Sequence, residues 1–285
     1  MRTAIVAHAA DFSGWRDKAR NLLVSKVDPS DIHWQVSNAA QDLFAEPDLE
    51  IEASATTTQS TFRVPQSFMQ LATRVVCHSD PQRFALLYRV LWRLTHGEPN
   101  LLTCCSDNDV HVVNTLAKAV SRDRHKMTAF VRFRKTQDMT TEHYSAWFEP
   151  SHYILRLTIP FFCKRFSNMH WSIHTPEGSA HWNGTDIVFG PPGTRDDIPQ
   201  GEIMEDIWRT YFANTFNPAR LRISAMQAEM PVKYWKNLPE APLIAELIHD
   251  SGRRVSDMIA SDPTSAPRFA EAAMKSAFRG RKRRH

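Results

Sequence analysis

The sequence predicts an α+β or mixed α/β fold: an antiparallel sheet of about five strands with helical sections before and after it. Three observations predict it. Apolar residues recur at helical spacing from residue 65 to about 124. Between about 126 and 190 the spacing changes to the two-residue alternation of strands, and after residue 201 it returns to helical. The globular part is expected to span 1–262, divisible near residue 125 into a helix-rich part (1–125) and a part of sheet plus helices (126–262). Residues 263–285 read as a linker, a short helix and a basic tail.

Taken in order, Thr3–Ala9 is a short apolar run and reads as a buried strand. Trp15, Ala19, Leu22 and Leu23 place a helix over Phe12–Val24, with Ser13 as its expected cap. Asp31–Val36 reads as a second strand, which makes a β-α-β start. Residues 37–64 lack a clear period. Three helical stripes follow, on Phe68, Leu71, Ala72 and Val75, on Phe84, Leu87, Tyr88, Leu91 and Trp92, and on Val110, Val113, Leu116, Ala117 and Val120.

The middle segments KMTAFVRFRK and YSAWFEP both read as strands. Pro150–Phe166 reads as a helix broken or kinked at Pro160. MHWSIHTPEGSAHWNG is a hairpin turning near Pro176–Ser179, and DIVFGPPG a further strand. Gly201–Phe216, Pro218–Met230 and Ala241–Ile259 carry helical patterns.

Charge and composition limit the function classes. The net charge is +4 over 285 residues, but the last seven residues, RGRKRRH, hold five of the 35 basic groups and no acid. That leaves 30 basic groups against 31 acids, so attraction to nucleic acid must come from local clusters and the tail. Cys77, Cys104, Cys105 and Cys163 form no CxxC pair and are expected to be reduced, partly buried thiols. No metal and no cofactor is expected. No apolar run reaches the roughly 20 residues a bilayer needs, and the N-terminal apolar run breaks at Asp11. The expectation is a soluble cytoplasmic protein without membrane contact. The GxSxG, P-loop, GxGxxG and HExxH signatures are absent, so no standard nucleophile or nucleotide motif stands out.

Two polar surfaces carry chemistry. If the hairpin pairs Thr175 with Ala180, His174 lies across from His181 and Ser172 across from Asn183. His170, Ser172, His174, His181 and Asn183 then share one face, while Trp171, Ile173 and Trp182 take the other. The face reads as a solvated surface, as a platform for a phosphate or a base, or as a metal site without a carboxylate in register.

The second surface is SRDRHKMTAFVRFRK, residues 121–135, with six basic side chains, one acid and one histidine. Read as a strand, KMTAFVRFRK puts Thr128, Phe130, Arg132 and Arg134 on one face. The guanidinium groups there suit phosphate oxygens, or alternatively acids on a neighbouring strand. Arg122, Arg124, His125 and Lys126 fall where a helix is expected to end.

Glu149 and His152, in WFEPSH, are spaced as a candidate general acid/base pair, and Glu149 could equally pair with Arg132 or Arg134. Asp123 and His125 have suitable types but point apart on a helix. Arg220, Arg222, Lys233, Tyr234, Trp235 and Lys236 could line a groove, or cover core edges with their apolar stems and rings.

RDRHKMTAFVRFR, AWFEPSHYIL, PFFCKRFSNMHWSIHTP, FNPARL and MPVKYWKNLPEA together resemble a bacterial family linked to DNA metabolism or DNA repair and carried as a domain of unknown function. The resemblance runs from about Ala4 to Met258. That family occurs alone beside a radical-SAM DNA repair or modification protein, and elsewhere fused ahead of a uracil-DNA glycosylase-like domain. This chain resembles the stand-alone form. The resemblance implies DNA and the radical-SAM protein as partners, and it transfers no catalytic role.

The expected function is a DNA-binding accessory protein in a bacterial repair or modification pathway. Arg122, Arg124, His125, Lys126, Phe130, Arg132, Arg134, His170, His174 and His181 would form the binding surface. Arg281, Lys282, Arg283 and Arg284 of the tail would add sequence-independent attraction. Two alternatives stay open: an enzyme acting on damaged DNA with Glu149, His152, His174 or His181 as acid/base, and a protein adaptor for the radical-SAM partner.

Overall fold

The computed structural model describes residues 2–37, 62–136 and 142–198, and beyond them 227, 230–238 and single positions from 241 to 260. The chain divides into two compact units, Met1–Glu202 and Ile203–His285. The first unit is a mixed α/β structure and opens with the expected β-α-β segment. Strand β1 (Arg2–Val6) and strand β2 (Ile32–Val36) pair in parallel from Arg2 opposite Ile32 to Val6 opposite Val36. Helix α1 (Phe12–Val24) crosses between them. Its cap is Asp11 and not Ser13: the Asp11 Oδ1 accepts the N–H of Gly14 at 2.8 Å, while Ser13 lies inside the first turn. A Cβ at residue 14 would meet the Asp11 carboxylate at 2.1 Å, so glycine makes room for the cap.

Helices α2 (Gln66–Val75), α3 (Arg83–Thr95) and α4 (Asn108–Phe130) follow. Their apolar stripes form the core with α1, and Phe68, Phe84, Leu87, Tyr88 and Val113 are essentially buried. Each such large side chain contributes roughly 1.5–3 kcal/mol by leaving water. Two buried polar atoms of this core find backbone partners: Tyr88 donates to the Val27 carbonyl at 2.8 Å, and Trp15 Nε1 to the Phe84 carbonyl at 3.3 Å.

The five-stranded sheet runs in the order β3 (Arg134–Thr136), β4 (His143–Trp147), β5 (His170–Thr175), β6 (Gly178–Trp182), β7 (Ile187–Gly190). All neighbours are antiparallel except β4 and β5, which are parallel. A parallel pair needs a crossover, and helix α5 (Leu155–Arg165) supplies it. Helix α5 starts five residues later than expected and runs through Pro160. Its Phe162 packs with Phe133, Phe166 and Trp171 on the apolar side of the sheet.

The largest correction concerns the basic segment. Residues 126–130 are helical, because α4 continues to Phe130 and only Arg134–Thr136 form a strand. The helical face Val113, Leu116, Ala117, Val120 is prolonged by Asp123 and Met127, both buried. That periodicity outweighs the coincidental alternation of Met127, Ala129, Val131 and Phe133.

In the second unit, Val232–Asn237 form a 3-10 helix, Tyr234 is buried, and the described positions of 241–260 are helical except Asp250 in a turn. Residues 201–226 and the tail with Arg281, Lys282, Arg283 and Arg284 lie outside the described residues. No helix among the described residues is long and apolar enough to cross a membrane.

Candidate functional site

The hairpin register differs from the expected one by two residues. Thr175 faces Gly178, His174 faces Ser179 and Ser172 faces His181. A two-residue loop, Pro176–Glu177, makes the turn, with Thr175 Oγ1 donating to the Gly178 carbonyl at 2.8 Å. Because the shift is even, His170, Ser172, His174 and His181 still share a face, and Trp171 and Ile173 are wholly buried on the other. Asn183 leaves the sheet; its Oδ1 accepts the N–H groups of Thr185 and Asp186 and closes the next loop.

Neighbouring strands add residues that the sequence reading missed. His143 on β4 lies beside His170, and Ser145 beside Ser172. Ser179 lies beside Gly190 on β7. A continuous hydrogen-bonded chain results. His143 Nε2 is 2.8 Å from Ser172 Oγ, Ser172 Oγ is 2.7 Å from His181 Nδ1, and His181 Nε2 is 2.9 Å from Ser179 Oγ. The ring of His174 meets that of His181 edge-on, with centroids 5.5 Å apart. Desolvation pushes the pKa of both His143 and His181 below the ordinary 6.5, and the neighbouring His181 and His170 lower His143 further. Both imidazoles are therefore neutral at pH 7, as a base must be.

A cavity of about 170 Å³ is lined by Ser179, Gly190, Glu177, Arg156, His8 and Tyr153, among others, with Arg156 and Phe189 on the side of the sheet opposite the histidine–serine face. Arg156, at the start of α5, lies over the Phe189 ring at 3.9 Å. No side chain caps that helix start. His8 is held below its ordinary pKa by desolvation and by Arg156. Glu177 sits exposed on the hairpin turn, yet its carboxyl is raised to about 7, first by desolvation and then by Asp123, with Arg83 opposing.

Glu149 and His152 are drawn to different partners. Glu149 accepts from Trp147 Nε1 at 2.9 Å, whereas His152 Nδ1 meets Ser79 Oγ at 3.0 Å and its ring lies 4.1 Å from that of His78. The expected strand face of Phe130, Arg132 and Arg134 does not exist. Phe130 ends α4, Arg132 donates to the Ala129 carbonyl at 2.7 Å across the helix end, and Arg134 lies on β3 opposite Ser145.

The other cations of the segment lie on one helix. Arg122, Arg124 and His125 are exposed on α4, as is Lys118 one turn before Arg122. Asp123 alone turns inward, so among the described residues no carboxylate pairs with Lys118, Arg122 or Arg124. Lys126 is half-buried, with its Nζ 6.0 Å from the Phe130 ring. Among the described residues no group of three His, Cys, Asp or Glu side chains is placed to hold a metal. All four thiols are free, and Cys104 and Cys105 are exposed rather than partly buried.

A mixed α/β unit with a histidine–serine face on its sheet defines the structural class. Residues 81–240 match DUF4130, a domain of unknown function, and the chain belongs to that family. No curated protein and no solved structure matches it.

Proposed function

We propose that this chain is a DNA-binding accessory protein in a bacterial DNA repair or modification pathway. The observation that supports this most is the exposed row of Lys118, Arg122, Arg124 and His125 on α4, cations without a carboxylate partner among the described residues. A helix face of this kind suits phosphate oxygens, and binding through it would be sequence-independent and strongly salt-dependent. The resemblance to a DNA-metabolism family supports the same reading and suggests a radical-SAM protein as cytoplasmic partner. The tail cations Arg281, Lys282, Arg283 and Arg284 would add to the attraction.

Binding of labelled single- and double-stranded DNA across a salt series tests the proposal, with the whole chain, the chain without its last seven residues, and the Lys118→Gln/Arg122→Gln/Arg124→Gln variant. Binding that survives truncation and is lost in the triple variant supports it. Absence of DNA binding by the whole chain, with co-purification of the radical-SAM protein, would make the chain an adaptor instead.

A further inference from the structure

The cavity beside Arg156 and Phe189 is walled by three segments far apart in the chain: the loop after β1 with His8 and Ala9, the entry to α5 with Tyr153 and Arg156, and the hairpin turn with Glu177 and Gly178. Each wall is held by its own backbone contact. Arg83 Nη2 donates to the Ala9 carbonyl at 2.8 Å, the Tyr153 N–H donates to the Cys77 carbonyl at 2.8 Å, and Thr175 Oγ1 closes the turn on the Gly178 carbonyl. A ligand entering here does not have to order the walls, which spares it that entropy.

The charge of the cavity is unbalanced. Among the described residues Arg156 has no ion pair, and its guanidinium carbon is placed 3.9 Å from the centroid of the Phe189 ring. That contact holds the cation without engaging a carboxylate. Glu177 lines the same cavity without pairing with it. Desolvation first, and Asp123 second, raise the Glu177 carboxyl to about 7 against the pull of Arg83, so near neutral pH much of it is uncharged.

We propose that this cavity binds the phosphate group of a small phosphate monoester, with the Arg156 guanidinium as its cation and Tyr153 and His8 as further polar partners.

The donor set favours phosphate over carboxylate. Guanidinium and phenol come from the entry to α5, and an imidazole comes from the loop after β1. A phosphate monoester offers three terminal oxygens in different directions, whereas one guanidinium fork already takes both oxygens of a carboxylate. The positive end of α5 adds to the potential set by Arg156. A volume of about 170 Å³ admits a phosphate with a short substituent, and pockets for drug-sized ligands begin near roughly 300 Å³. Two sources present such a group: a free phosphate ester, and the terminal phosphate of a DNA strand. The site uses none of the α4 cations and does not rest on the DNA-binding reading.

The test is isothermal titration calorimetry of the whole chain with inorganic phosphate, methyl phosphate and acetate at fixed ionic strength. Saturable binding of both phosphates, tighter than acetate, is expected. Arg156→Gln should weaken it about tenfold or more, the loss of one charge-assisted contact. Arg165→Gln, which removes an exposed arginine of α5 that does not line the cavity, should leave it unchanged. Glu177→Gln should tighten binding at pH 8, where the carboxylate repels the ligand, and change it little at pH 6. Absence of saturable phosphate binding by the folded chain, an affinity indifferent to Arg156→Gln, or acetate binding as tightly as phosphate overturns the proposal. Short oligonucleotides with and without a 5′-phosphate identify the source. A preference for the phosphorylated strand that vanishes in Arg156→Gln assigns the site to DNA ends, and phosphate binding without such a preference assigns it to a free ester. The Lys118→Gln/Arg122→Gln/Arg124→Gln variant should keep its phosphate binding, so this proposal and the DNA-binding one fail separately.

Discussion

The Asp123 carboxylate accepts the backbone N–H of His152 at 2.9 Å, and with the same oxygen that of Ser151 at 2.7 Å. This contact explains why a segment so rich in cations exposes them. The one acid in RDRHK is used inside the fold, holding the turn that leads into α5, and Arg122, Arg124 and His125 are left to the solvent. Replacing Asp123 with Ala leaves two part-buried N–H groups without this acceptor and should cost about 1–3 kcal/mol in urea unfolding. Asp123→Asn keeps an acceptor oxygen and should lose distinctly less.

For the helix face, the Lys118→Gln/Arg122→Gln/Arg124→Gln variant should reduce the slope of log affinity against log salt by about two to three. Its unfolding free energy should stay within about 0.5 kcal/mol of wild type per site, because the three side chains are exposed. Arg132→Gln should behave differently: its bond to the Ala129 carbonyl closes the helix end, and its loss should cost about 0.5–1.5 kcal/mol. Equilibrium unfolding of the two variants side by side separates the roles.

Arg83 is a buried cation without a carboxylate ion pair among the described residues. It donates to the carbonyls of Val76, Asp80 and Ala9, each at 2.8 Å, and its guanidinium lies 4.2 Å from the Phe84 ring centroid. It thereby ties the loop after β1 to the α2–α3 connection. Arg83→Met leaves three carbonyls without this donor and should destabilise by about 3–5 kcal/mol. Arg83→Lys should recover little, because one ammonium cannot span the positions a planar fork reaches. Chemical denaturation reads both.

The sheet histidines predict a pH response. In the folded chain His143 and His181 titrate below 6.5, so just below that pH the unfolded chain binds more protons at these positions. Their contribution to stability is present above 6.5 and is lost as the pH falls through their lowered folded values. Glu177 acts oppositely: raised from 4.5 to about 7, it binds its proton more tightly in the folded chain, and its contribution is lost as pH rises across that window. Its exposure on the turn reduces that contribution. Since the two trends oppose, residue-resolved NMR titration is the suitable measurement. The His143 and His181 rings should be less than half charged at pH 6.5, where half of an unperturbed histidine is charged.

Much of the fold was legible from short-range periodicity. The β-α-β start, the three helical stripes and the hairpin each express a pattern within a few residues, and side-chain alternation alone put His170, His174 and His181 on one face. The face survived a two-residue error in register because strand parity repeats every two residues. At the end of α4 the two periods overlap: Met127 satisfies both, and Asp123 continues the helical stripe as a buried carboxylate that accepts backbone N–H groups.

By itself, then, the sequence determined which residues form helices and strands over most of the described chain, and which side of each is apolar. Tertiary structure decided what meets across long separations: Asp123 with Ser151, His143 with Ser172, and His8, Arg156 and Ser179 around one cavity. The physical reason is that periodicity records only whether a side chain faces the core. Which polar group lies opposite it is set by strand order, the parallel β4–β5 pairing and the α5 crossover, none of which leaves a local trace in the chain.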